Sequence, residues 1–147
     1  MSTTRSVNGI ERGKWARAAL ASVVAAVLAN LIAFFIIRAM VELPAGFQPL
    51  SVGAITFFTL IGTGLGALVF RWLAGRSAHP ARRYVIAAVI ALIISILPNL
   101  AAARNPALFP FPGGTATAFL VLTLFHVIAA AVSVSVLLRQ SRAGQER

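Results

Sequence analysis

The stretch TATAFLVLTLFHVIAAAVSVSVLL, Thr115–Leu138, decides the fold. It runs for 24 residues without an Asp, Glu, Lys or Arg. A helix needs about 20 apolar residues to cross roughly 30 Å of hydrocarbon, so this segment is long enough to span a bilayer. Three more runs have the same character: Ala16–Ile37, with Arg17 at its edge, Ser51–Phe70 and Tyr84–Ala103. The expected spans cover about 16–38, 51–72, 84–103 and 115–138. The fold class that follows is all-α: an integral membrane four-helix bundle over 15–138, with tails at 1–14 and 139–147. The linkers are about a dozen residues each, too short for a soluble domain.

Composition excludes several classes of function. A net charge of +10 would point to nucleic acid in a soluble chain, but here the charges flank apolar spans, so no nucleic-acid partner is expected. The chain has no cysteine, which removes disulfides, thiolate metal sites and thiol redox chemistry. Arg5, Arg12, Lys14 and Arg17 resemble the basic region of a signal peptide. The apolar run after them exceeds the 7–15 residues of a signal core, so it reads as a retained span.

Basic residues concentrate on cytoplasmic segments of membrane proteins. Eleven of the thirteen lysines and arginines lie in the N-terminal tail, the second linker (Arg71, Arg76, Arg82, Arg83) and the C-terminal tail. The first linker has only Arg38 and the third only Arg104. Both termini are therefore expected in the cytoplasm, with the chain in the inner (plasma) membrane. Trp15, Trp72 and Tyr84 fall at that same boundary, where amphipathic rings settle. The first and third linkers, LPAGFQPL (Leu43–Leu50) and NPALFPFPGG (Asn105–Gly114), are rich in Pro, Phe and Gly. Proline ends helices, so these are irregular segments whose phenylalanines are expected as interfacial anchors. The sharper alternative is a lid over an outward-facing cavity.

Side chains report what is special inside the spans. Ser22, Ala26, Asn30 and Ala33 recur at helical spacing in the first span, and Thr56, Thr59, Thr63 and Gly66 in the second. Ala88, Ala91, Ser95, Asn99 and Ala102 do so in the third, and Thr123, His126, Ala130 and Ser133 in the fourth. Small and polar faces turn inward and let backbones approach, leaving Leu, Ile, Val and Phe toward lipid. Gly62 and Gly66 form a Gly-x-x-x-Gly pair, the signature of a close helix contact, either within the bundle or between copies. Pro98 cannot donate to the carbonyl of Ile94, so a kink is expected there.

His126 is the only ionisable side chain in the interior of any span. Intramembrane ionisable groups are costly and face the bundle interior. An imidazole needs partners for both ring nitrogens. Asn30, Thr123, Asn99 and Thr59 are the candidates at suitable depth, so a polar intramembrane cluster is expected around His126. Such a cluster either locks the bundle or forms a ligand or proton site. Arg38 and Glu42, four residues apart at the outer end of the first span, are expected to pair, with Arg104 as a neighbour that would complete an anion-holding cluster.

No catalytic constellation is legible. The carboxylates Glu11, Glu42 and Glu146 all lie in tails or linkers, and neither Ser95 nor Thr123 with His126 has an orienting acid. His79 and His126 lie at different depths and cannot supply three metal ligands, so no metal and no cofactor are expected. Haem held by intramembrane histidines would require a dimer.

Several segments resemble an uncharacterised bacterial four-span family, a domain of unknown function of the DUF6069 type. They are Leu50-Ser51-Val52-Gly53-Ala54, the Arg-rich second linker, Ser95-Ile96-Leu97-Pro98, and Phe125-His126-Val127-Ile128-Ala129-Ala130-Ala131-Val132. The resemblance covers nearly all of the chain, and the His-Ala segment is its most specific part. Family members often carry a proline shortly after that segment, where Ser133 and Ser135 stand here. The resemblance implies fold and location, and no activity.

The functional expectation is a non-enzymatic accessory or partner-binding protein of the membrane. Its surroundings are the lipid bilayer, with another membrane protein or a second copy of the chain as partner. The alternative is a small-molecule or ion binder, or a transporter, with its site around His126.

Overall fold

The computed structural model describes residues 12–143, and the tails expected at 1–14 and 139–147 lie partly outside them. Four helices carry the chain: α1 (Arg12–Met40), α2 (Val52–Ala74), α3 (Pro80–Arg104) and α4 (Ala116–Ala143). Each holds a segment long and apolar enough to cross a membrane: Trp15–Met40, Val52–Ala74, Pro80–Arg104 and Ala116–Gln140. The protein is a multi-pass membrane protein with an all-α fold. Helices are the outcome because hydrocarbon offers no water to pair backbone groups, and a helix pairs them within the segment.

The helix ends follow local chemistry. Ser51 caps α2, its Oγ accepting from the Ala54 N–H at 3.2 Å. Thr115 does the same for α4, accepting from the Ala118 N–H at 3.2 Å. Pro80 opens α3, where its missing N–H costs nothing. Pro98 lies inside α3, which continues unbroken through it to Arg104.

α1 packs broadly against both α2 and α4, and α4 packs against α3 on its other flank, while α2 and α3 touch more sparingly. The core has three levels. An apolar cluster at the end closed by the two proline-rich linkers contains Phe34, Phe47, Leu50, Ile55, Ala102 and Phe119 among others. A second cluster at the opposite, basic end contains Ala18, Ala67, Phe70, Leu73, Tyr84 and Leu137. Between them lies a polar band. The buried positions of α1 run Ala18, Ser22, Ala26, Asn30, Phe34, one every four residues, from one cluster through the band to the other. On α2 the same sequence is Ile55, Thr59, Thr63, Ala67.

Two aromatic expectations are corrected. Phe47 is not an interfacial anchor: it is buried against Phe119 and Phe111, with ring centroids 5.2 and 6.2 Å away, both edge-on. The two linkers fold onto each other, with Gly113 against the backbone of Ala45 and Phe47, and this drives the ring into the bundle as a plug. Phe109 and Phe111 stay exposed. Tyr84 does not rest in a boundary layer either. It is buried against Phe70, ring centroids 5.0 Å apart, and its hydroxyl lies over Gly66, because a glycine on α2 leaves room for it.

Candidate functional site

The polar band is where any intramembrane chemistry would occur. Ser22, Asn30, Thr59, Thr63 and Ser133 are the buried polar residues among those described, and all five lie in it. Asn30 Nδ2 donates to Thr59 Oγ1 at 2.9 Å, tying α1 to α2 in the bundle interior. Thr63 Oγ1 donates to the Thr59 carbonyl at 2.7 Å. The other hydroxyls turn back onto their own helices: Ser22 to the Ala19 carbonyl (2.9 Å), Ser95 to Leu92 (2.8 Å), Thr123 to Phe119 (3.0 Å) and Ser133 to Ala130 (3.3 Å). Back-bonding of this kind satisfies a hydroxyl where no second helix presents an acceptor. Asn30 Oδ1 is buried and has no partner.

The expected cluster around His126 therefore divides in two. Asn30 and Thr59 meet each other, and His126 meets neither. Its Nδ1 donates to the Leu122 carbonyl of its own helix at 2.7 Å. In the neutral ring this leaves Nε2 as an acceptor, and Nε2 makes no hydrogen bond to another described residue. Asn99 Nδ2 reaches the Ser95 carbonyl at 3.4 Å. α1 packs against α4 as broadly as against α2, so His126 and Asn30 lie on neighbouring helices without meeting.

Ser95, Asn99, Thr123 and His126 are all half-buried.

The remaining candidates separate as well. Gly66 is in close contact, since a Cβ there would come 3.3 Å from the Tyr84 hydroxyl. Gly62 is exposed, and a Cβ there would meet nothing within 4 Å. Arg38, Glu42 and Arg104 are exposed and form no ion pair with one another. α1 ends at Met40, so Glu42 falls outside the helix and the four-residue spacing no longer stacks it on Arg38.

A feature that the residue pattern alone placed only in a general basic flank lies at the other end. The Arg71 guanidinium stacks 4.6 Å from the ring centroid of Trp15, and Arg76 stacks 5.1 Å from that of Trp72. Arg76 lies past the end of α2, so its stacking on Trp72 comes from the turn at Gly75 and not from helical spacing. The Arg71–Trp15 pair joins two helices and left no local signal.

A family model matches residues 10–143, that of a family of unknown function, DUF6069. No curated protein and no solved structure matches the chain significantly. The match extends from before α1 to the last described turn of α4, taking in the polar band, His126 and both linkers, and the chain belongs to the DUF6069 family.

Proposed function

We propose that the chain is a non-enzymatic accessory protein of the bacterial inner membrane, both termini cytoplasmic, that works by packing against another membrane helix. The observation that carries this reading is Gly62. It lies on α2 one turn from Gly66, exposed, with open space where a side chain would project. Small residues on a membrane helix favour close backbone approach, and within the chain no helix takes this one up. The neighbouring α3 points the same way: 6% of its most apolar window is buried, against 22% in each other span. The α2–α3 edge is thus the least filled side of the bundle. The orientation rests on the distribution of arginines and lysines.

The absence of cysteine makes a clean test available. A photo-crosslinking residue at position 62 should capture a membrane partner or a second copy, while the same residue at Leu28, an exposed position of α1, should not. Equal capture at both positions, with a monomer by photobleaching counts, would reject the reading.

One observation favours a second reading, a small-molecule or ion site. His126 is half-buried, and its Nε2 makes no hydrogen bond to another described residue. Ligands that raise the melting temperature of the wild type but not of His126→Gln would support it. Identical shifts in both proteins across a metabolite and ion panel would count it out.

A further inference from the structure

The basic end of the bundle carries a shallow, open depression along the end of α2, lined by Leu68, Arg71, Trp72, Gly75 and Arg76. Local chain geometry builds it. α2 stops at Ala74, and Gly75 caps it with its N–H directed to the carbonyls of Arg71 and Leu73. The turn continues with the Arg76 N–H donating to the Leu73 carbonyl at 3.1 Å. This folds Arg76 back over the face of Trp72, 5.1 Å from its centroid. Arg71 is held on the other side by Trp15 of α1.

Both cations are thus positioned by aromatic faces and not by carboxylates. The one acidic side chain among the described residues, Glu42, lies at the opposite end of the bundle. Among the described residues, no carboxylate meets the guanidinium of Arg71 or Arg76. Below them, Leu68 and Trp72 are 53% and 56% exposed and continue the open surface toward the apolar part of the helix. The lining therefore has two guanidinium groups at one end and an aromatic and aliphatic strip at the other. A free anion would use only the first half of this surface. An amphiphile with a phosphate head and an acyl chain would use all of it.

We propose that this groove binds an anionic phospholipid, with its headgroup phosphate between Arg71 and Arg76 and an acyl chain along Trp72 and Leu68. Guanidinium groups suit phosphate because their fixed forks donate two parallel hydrogen bonds to it. Each basic residue near an anionic surface contributes about a fivefold gain in lipid affinity, so the pair should give about a 25-fold preference.

The test uses the full chain in nanodiscs or mild detergent, with native mass spectrometry counting bound phosphatidylglycerol against phosphatidylcholine. The wild type should retain phosphatidylglycerol preferentially. Arg71→Gln/Arg76→Gln should lose most of that preference. Arg82→Gln/Arg83→Gln removes the same charge from exposed positions outside the groove and should lose clearly less of it. Arg76→Gln alone guards against misfolding, because Arg76 lies past the end of α2, and it should lower retention about fivefold. Equal losses in the two double variants would overturn the proposal in favour of diffuse charge attraction. Retention of both lipids alike would also overturn it. Competition by millimolar inorganic phosphate with no lipid preference would assign the groove to a free anion instead.

Discussion

Asn30 and Thr59 form the one side-chain hydrogen bond between helices among the described residues, Nδ2 to Oγ1 at 2.9 Å, with both residues buried. It stands between two apolar clusters and sets the rotation of α1 against α2. The Oδ1 of the same amide is buried with no partner, so the pair combines a cross-link with an unmet acceptor.

We expect a double-mutant cycle on Asn30→Ala and Thr59→Ala to give a coupling of about 0.6 kcal/mol, and at most about 1.7, the range found for interhelical bonds in membranes. Thr59→Val alone should be worse than its lost bond, because it leaves the whole Asn30 amide unpaired in the core. The apolar pair Asn30→Leu/Thr59→Val should recover part of that loss. Unfolding in mixed micelles of increasing denaturing detergent measures every variant. A coupling near zero would mean that the bond does not organise the α1–α2 contact.

The plug at the loop end gives a second prediction, built on two glycines with positive φ. Gly46 has φ +88° and open space around it, whereas Gly113 has φ +73° and a Cβ would come 2.9 Å from the Ala45 carbonyl oxygen and 3.0 Å from the Phe47 nitrogen. Gly46→Ala should cost about 1 kcal/mol, the strain of a left-handed residue. Gly113→Ala should cost clearly more, since backbone must move as well, and it should expose Phe47. Phe47→Ala should remove about 3 kcal/mol or more through the cavity it leaves. Thermal melts rank the three. Equal effects of the two glycine variants would show that the linkers do not press on each other.

The pair Gly62 and Gly66 separates stability from association. Gly66→Ala should come out less favourable for the monomer than Gly62→Ala, because the Tyr84 hydroxyl, 3.3 Å from the added Cβ, has to give by a few tenths of an ångström. Gly62→Ala should leave monomer stability unchanged or raise it by up to about 1 kcal/mol, the helix-propensity difference. Gly62→Leu should abolish partner capture while the protein still folds. If Gly62→Leu unfolds the protein, the open edge is not open.

The depth of each residue was readable along the chain. Ser22, Ala26, Asn30 and Thr59, Thr63 were placed on inward faces by their helical spacing, and they are buried. Spacing also marked His126 as the exceptional side chain of the spans. It could not name the partner of His126, since periodicity says which face of a helix is polar and not which helix stands opposite. Placing Asn30 beside Thr59, and His126 on its own Leu122 carbonyl, required the packed bundle. Phe47 follows the same rule: a phenylalanine in a proline-rich linker is an anchor or a plug depending on whether the linkers meet, and Gly113 lies against the backbone of Ala45 and Phe47.

By itself, the sequence determined that the chain crosses a membrane four times as helices, with its charges kept to the ends. The solvent imposes this residue by residue, because hydrocarbon accepts neither unpaired backbone nor unpaired charge. Only the tertiary structure decided that Asn30 meets Thr59, that His126 turns to its own Leu122 carbonyl, that Gly62 faces open space, and that Arg71 and Arg76 are held by tryptophans around a groove. These depend on how four separately stable helices pack, a choice governed by close contacts between residues far apart in the chain.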